Sequence, residues 1–247
     1  MENAKNKKRI HFSGGALTAP VPPVLVSIGD AREANIITVG WTGILATEPP
    51  RTYISVRPAR HSYSILKRTG EFVINLASVK IVREVDFCGI YTGAKIDKFE
   101  KCNFTKIESK VVSAPTIAEC PIALECRVAD VISMGTHDVF VADIVSVSCD
   151  EAILDERGKI RFDRADLLAY AHGEYYSLGE VLGSFGFSAA KKKKASSQPR
   201  TKPVTGEIAQ EEKTEKKRPF YLDLPKSKKG FKSGGVLKKC SKGAKKK

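Results

Sequence analysis

Short runs in which apolar residues alternate with polar or small ones fill the first three quarters of the chain. Six of them read as strands: 22–29 (PPVLVSIG), 35–42 (NIITVGWT), 51–58 (RTYISVRP), 71–77 (EFVINLA), 121–135 and 137–150. They are rich in Val, Ile and Thr and bounded by Gly, Pro or Asp, as strands are. Three stretches carry helical spacing instead. SYSILKRTG opens at Ser62, a capping residue type, and stops at Gly70; in KIVREVDFCGIYTG, Ile81, Val82, Val85 and Phe87 share one face before Gly89; DRADLLAYA (163–171) is the third. Only Gly135 and Thr136 separate the last two strands, a hairpin junction, and no strand alternates with a long helix. The pattern predicts a mainly β, antiparallel barrel and argues against a doubly wound parallel sheet.

Alternation within the strands sorts side chains by face. In 35–42, Ile37, Val39 and Trp41 fall on one side as a packing face, and Thr38, Gly40 and Thr42 on the other. The second face is small and partly polar, and its glycine lets a flat ligand approach the backbone. In the next strand Ser55 and Arg57 share a face, with Arg60, His61 and Ser62 following at the start of a helix. Hydroxyls, guanidinium groups and helix-start N–H groups are what a phosphate needs. Each residue also has a plainer role: Trp41 as core packing, Gly40 as a bulge, the arginines as solvated charges, Asn75 and Ser78 as caps of a turn. Their clustering on three successive strands points to an anionic, planar ligand. Neither GxGxxG after a first strand nor GxxxxGK[ST] is present, so a phosphate is not held by those loops.

Charge divides the chain. Residues 191–247 carry 20 Lys+Arg against 5 Asp+Glu, while the whole chain is +14, so the rest is close to neutral. This Lys-, Ser-, Pro- and Gly-rich tail buries too little apolar surface to order itself and is expected to be disordered, with RPFYLDLP as the stretch a partner would order. Its lysines suit nonspecific binding to RNA, DNA or an anionic membrane surface, a merely solvated extension being the plainer role. The expected organisation is an N-terminal extension (1–14), one folded domain (15–190) and the basic tail (191–247). The six cysteines have irregular spacing without CxxC, and the four histidines are scattered, so no metal site is expected and the thiols are expected reduced. No apolar run suggests a secretory signal or membrane span, and a cytoplasmic protein is expected.

With these residues in view, the chain resembles the flavin reductase-like, FMN-binding split-barrel family, flavoredoxin type. The likeness rests on NIITVGWTG, PPRTYISVRPARHSY, GEFVINLAS, VDFCG, KIDKF, APTIAECPIALECRV, GTHDVFVADIV and LLAYAHGEYYSLGEVLGSFGFS, in order from about residue 15 to 188. It implies a six-stranded antiparallel split β-barrel of Greek-key type with a few flanking helices, forming a homodimer with FMN at or near the subunit interface. Carried across by residue, Asn35, Thr38, Val39, Gly40, Trp41, Thr42 and Gly43 would follow the ring and ribityl chain. The main chain at Gly43 would meet the ring edge. Ser55, Val56 and Arg57, with Arg60, His61, Ser62 and Tyr63, would reach the phosphate, and Asn75, Leu76, Ala77 and Ser78 would lie beside the ring. His137, His172 and Tyr175 are candidates to contact substrate, the two histidines being the candidate catalytic residues, with structural hydrogen bonding as their other role. Cys88 is a further candidate near the flavin, or a buried thiol. Three activities follow. One is an oxidoreductase that takes hydride from NAD(P)H and passes electrons to free flavin, ferric iron or a protein. The second is an electron-transfer protein whose tightly held FMN is reduced by a redox partner protein. The third is a non-redox module tethered to nucleic acid by its tail.

Overall fold

The structure, a computed structural model, describes residues 8–30 and 32–189. Its strands are β1 (Val24–Gly29), β2 (Ala34–Val39), β3 (Thr42–Thr47), β4 (Pro50–Val56), β5 (Glu71–Leu76), β6 (Lys106–Ile107), β7 (Thr116–Ile117), β8 (Ile122–Ser133), β9 (Asp138–Cys149), β10 (Leu168–Ala171) and β11 (Glu174–Ser177). Its helices are α1 (His61–Thr69), α2 (Val82–Ile90) and α3 (Lys98–Lys101). Seven strands make one antiparallel sheet in the order β2-β1-β5-β8-β9-β4-β3. The twelve-residue strands β8 and β9 pair along their length with register shifts at Glu125/Cys126 and Val128/Asp130. Such bulges bend a strand and sharpen its twist, which lets one pair serve both halves of a barrel. Edge strands β2 and β3 are consecutive in the chain, joined through Gly40 and Trp41 and not paired with each other; Ser55 N–H donates to the Trp41 carbonyl at 3.0 Å, one position beyond the Thr42–Ile54 pair of β3 and β4.

The barrel interior is filled by alternate residues of successive strands: Val24, Val26 and Ile28, Ile37 and Val39, Ile54 and Val56, Phe72 and Ile74, Phe140 and Ala142. Ile65 and Leu66 of α1 complete it. Burying each such side chain contributes roughly 1.5–3 kcal/mol. The opposite face of β1 and β2 packs Leu25 and Ile36 against Val85 and Cys88 of α2 and Phe99 of α3. Burial on both faces explains why these strands read as nearly continuous apolar runs.

Two buried polar residues tie a long connection to the sheet. Asn75 Nδ2 donates to the Leu25 carbonyl and Ser27 Oγ, and its Oδ1 accepts from Ile117 N–H. Glu125, 2% exposed, accepts from the N–H groups of Lys110, Val111 and Val112.

The structure departs from the sequence reading in four places. The run 163–171 is not a helix: after a 3-10 turn at Phe162–Arg164 the chain becomes β10, and the Tyr170 backbone exchanges two hydrogen bonds with Val21. Tertiary pairing overrides a good local helix former here. The run 35–42 is broken at Gly40 and Trp41, and β3 beyond it adds a seventh strand at the sheet edge. Helix α1 begins at His61 with Arg60 as its N-cap, and Ser62 is not a cap; its Oγ accepts from Asn35 Nδ2 at 2.9 Å. Finally, at the end of KIDKF (95–99) the chain enters the short, unexpected helix α3 at Lys98, where the carboxylate of its N-cap Asp97 accepts from Phe99 and Glu100 N–H. Among the described residues no helix is long and apolar enough to cross a membrane. The expectations for the tail fall outside the described residues.

Candidate functional site

A cavity of about 370 Å³ opens where the ends of β2 and β4, the start of α1 and the β10–β11 hairpin converge, with Thr38, Gly40, Trp41, Ser55, Arg60 and Tyr170 in its walls. It continues at either end. Ile37 and Arg60 also line a narrow pocket of about 100 Å³ with His61, Ser62, Cys88, Thr92 and Lys98. Gly40, Trp41, Ser55 and Tyr170 also line a broad one of about 700 Å³ with Tyr53 and His172. The three form a groove of the size that holds small molecules.

The narrow end is built for negative charge. Lys98 is only 3% exposed, and its Nζ donates to the carbonyls of Ile36 at 2.7 Å and Cys88 at 2.8 Å. Arg60 Nη1 donates to the Gly89 carbonyl at 3.3 Å. The last turn of α2 thus anchors both cations through its carbonyls, where the helix dipole favours positive charge. Among the described residues Lys98 pairs with no carboxylate. Burial, with Arg60 adding to it, holds the Lys98 ammonium below its ordinary pKa. Facing it, α1 starts without a side-chain cap and without an acid in its first turn. A buried ammonium and an uncapped helix start around one small cavity are what a phosphate or carboxylate would satisfy.

The broad end is aromatic, walled by Trp41, which is 47% exposed, with Tyr53 and Tyr170; the Tyr170 ring lies 5.3 Å from that of Tyr175, which faces the central cavity. At Gly40 an added Cβ would already touch Val21 Cγ2 at 3.7 Å and Tyr170 Cδ1 at 3.9 Å, so a side chain larger than a methyl would fill the cavity wall that the glycine leaves bare. Tyr175 donates to Asp86 Oδ1 at 3.2 Å, and its pKa is pushed up to about 12 by burial first and Asp86 second. It stays a protonated donor at neutral pH. His137 Nε2 accepts from Arg57 Nε at 3.4 Å, and its Nδ1 lies 2.9 Å from Thr136 Oγ1. A neutral imidazole with its proton on Nδ1 satisfies both contacts.

Residues 16–179 match the flavin reductase like domain. The chain belongs to the flavin reductase-like family. It is 30% identical to the flavoredoxin of Desulfovibrio vulgaris (Miyazaki F), whose solved structure superposes with a TM-score of 0.70 over 74% of this chain and 100% of that one. The flavoredoxin from Methanosarcina acetivorans is 25% identical with a TM-score of 0.68, over the same shares. An FMN reductase (NADH) of Bradyrhizobium diazoefficiens is 25% identical over 156 residues, 63% of this chain and 77% of that one.

Within this flavin reductase-like fold, the residues named from sequence separate into two groups. Thr38, Val39, Gly40, Trp41, Ser55, Val56, Arg57, Arg60, His137 and Tyr175 converge on the central cavity. His61, Ser62 and Cys88 reach the narrow end, and Thr42 and His172 the broad end. The rest lie off the groove. Gly43 leaves room for Tyr53 across the β3–β4 pair, whose ring carbon would be 3.3 Å from an added Cβ. Asn35 sits beneath the site, donating to Ser62 and packed so closely on Gly93 that a side chain there would collide with its amide. Tyr63 donates to Asp138 Oδ2. Asn75 is spent on the buried network, Leu76 packs beside the core, Ala77 is buried, and Ser78 bridges to Leu167.

Two finer readings need correction. Trp41 does not share the packing face of Ile37 and Val39, because the break at Gly40 turns its ring into the groove. Thr38 points its hydroxyl at the Val85 carbonyl of α2, 2.5 Å away, instead of at the cavity. Lys98, Tyr170 and Tyr53 were not named from sequence as site residues. For Tyr170, His172–Gly173 held a clue: a His-Gly pair with φ of 47° and 96° is a two-residue hairpin turn, and it places Tyr170 opposite Tyr175. Nothing in the spacing of KIDKF marks its second lysine as buried.

Proposed function

We propose that this chain is an FMN-binding oxidoreductase that takes hydride from NAD(P)H and passes electrons to free flavin, ferric iron or a protein acceptor. One observation carries the reading: a buried lysine beside an uncapped helix start closes one end of a groove whose other end is broad, aromatic and open. The residues fit the group. Lys98, Arg60 and the first N–H groups of α1 would hold the phosphate, and Gly40 would let the ring lie against the backbone. Trp41 and Tyr170 would shield it from water. Bound there, FMN would supply the hydride and electron transfer, so the protein needs no acid or base of its own and acts by positioning. Arg57 and His137 face the central cavity from the β4 and β9 ends, where they would meet a second reactant. The test is anaerobic: the FMN-loaded protein should lose its yellow colour within seconds of adding NADH or NADPH. Protein that adds no visible flavin absorbance when FMN is supplied contradicts the reading.

Likeness to two flavoredoxins over their full lengths favours a second reading, an electron-transfer protein whose FMN is reduced by a partner protein. Bleaching only when a redox partner is added would support it.

The same proposal includes a homodimer. Ile44 and Leu45 on edge strand β3 are 78% and 52% exposed, next to Trp41. An exposed apolar edge strand is a ready pairing surface, and its cover would also shelter the groove. Sedimentation at micromolar concentration should show two copies. The folded domain is assigned to 15–190, and the basic tail to polyanion binding; deleting 191–247 should leave FMN binding intact and weaken retention on a polyanion column.

A further inference from the structure

One wall residue of the narrow pocket, Cys88, belongs to a pair of thiols. Cys88 Sγ and Cys102 Sγ lie 3.8 Å apart, one fully buried near the end of α2 and the other partly exposed at the C-cap of α3. Their backbones flank Lys98 on both sides: the Cys88 carbonyl accepts from Lys98 Nζ, and Cys102 N–H donates to the Lys98 carbonyl at 3.1 Å. Cys88 also lines the anion pocket. Cys102 opens instead into a separate cavity of about 500 Å³, with Glu84, Phe87, Tyr91 and Lys101. A small reagent entering that cavity reaches one sulfur without passing through the flavin groove.

We propose that Cys88 and Cys102 form a reversible dithiol–disulfide centre whose oxidation reshapes the anion pocket; the second half rests on the flavin reading above. The oxidant is a low-molecular-weight disulfide, RSSR. Cys102, as thiolate, attacks one sulfur of RSSR; the S–S bond breaks, and the leaving RS⁻ takes a proton to become RSH. Cys88, as thiolate, then attacks the Cys102 sulfur of the mixed disulfide and expels the second RS⁻, which is protonated in turn. Two cysteine thiols lose two electrons, RSSR gains them, and both thiol protons leave on the two RSH. Excess thiol runs the sequence backwards. Burial holds both thiols protonated at neutral pH, so the exchange is slow, on the order of minutes to hours.

Closing the 3.8 Å gap to a disulfide bond of about 2.05 Å draws the sulfurs together by about 1.8 Å. Lys98 is hydrogen-bonded to the backbone of both cysteines, by its Nζ to the Cys88 carbonyl and by its own carbonyl to the Cys102 N–H, so any backbone movement on closure would be passed to it.

The experiment uses the full chain, reduced and then exposed to hydroxyethyl disulfide, with remaining thiols alkylated before a non-reducing peptide map. The expected result is a Cys88–Cys102 cross-linked peptide that disappears on adding thiol. FMN affinity should weaken by about five-fold, equivalent to one weakened hydrogen bond, and recover on reduction. Cys102→Ser, at a partly exposed position, should lose both responses. Cys88→Ser should trap the mixed disulfide on Cys102. Absence of the cross-linked peptide overturns the centre, and a cross-linked protein with unchanged FMN affinity overturns its coupling to the pocket. Reduced protein that binds no FMN contradicts the flavin reading alone, because the peptide map judges the thiols without flavin.

Discussion

The two ends of the groove are built on opposite principles. The narrow end is about 100 Å³, and its cation is 3% exposed with two of its three N–H groups fixed on backbone carbonyls. The broad end is about 700 Å³, walled by a tryptophan 47% exposed and by His172 in a hairpin turn. Buried polar groups held by main chain cannot adjust, so under the proposed function the first end would accept one charge pattern, and the second, half-exposed and aromatic, would admit a second reactant or a partner. Specificity for a phosphate would then belong to the narrow end, and the choice of electron donor to what covers the broad one.

The largest effect should come from closing the space where the two ends meet. Gly40→Val should abolish binding of both FMN and riboflavin while the far-ultraviolet circular dichroism stays unchanged, since an added Cβ alone meets only ordinary contacts there. Normal flavin affinity in that variant would remove the ring from this wall.

The narrow end is broken separately by Lys98→Met. FMN affinity should fall about a hundred-fold with riboflavin nearly unaffected, because only FMN offers the charge that this ammonium meets. Equal losses for the two ligands would place the phosphate elsewhere.

Charge on Lys98 also sets a pH window. Its pKa is lowered by burial, so the preference for FMN over riboflavin should shrink as pH rises through that lowered value and the ammonium loses its proton. On the acid side, the preference should weaken below about pH 6 as the phosphomonoester takes up its second proton. A flat ratio across the alkaline limb would mean that Lys98 does not carry the phosphate.

The arginines should give a smaller, unequal split. Arg60→Ala, at the narrow end, should cost FMN about ten-fold relative to riboflavin. Arg57→Ala, 3.4 Å from His137, should leave that ratio within about two-fold and raise the KM for the nicotinamide donor instead. Identical behaviour of the two would erase the distinction between the ends.

Much of the fold was legible because β-branched runs and turn residues state strand and hairpin directly, as in 121–150. The 163–171 segment was not: its last four residues pair with β11 across the His172–Gly173 turn, and Tyr170 also bonds Val21, about 150 positions away in the chain. At the site, the sequence placed Gly40 and the polar start of α1 among residues that do line the groove, but alternation treated 35–42 as one unbroken strand. The two-residue break at Gly40 and Trp41 reverses the sense of the tryptophan, and periodicity carries no record of it. Asn75 reads as a ligand contact in sequence because it clusters with the arginines, hydroxyls and small polar face on three successive strands. Its role in latching residue 117 to the sheet depends on a long-range contact. Lys98 stayed hidden for the same reason: its burial is made by α2 and β2, not by its neighbours in sequence.

The most direct test of the central claim is calorimetric titration of the full-length protein with FMN and, in parallel, with riboflavin at neutral pH. An anion-specific narrow end joined to an open aromatic one predicts one FMN site per chain and an affinity at least about a hundred-fold above that for riboflavin. Equal affinities for the two, or no binding of either, would contradict it.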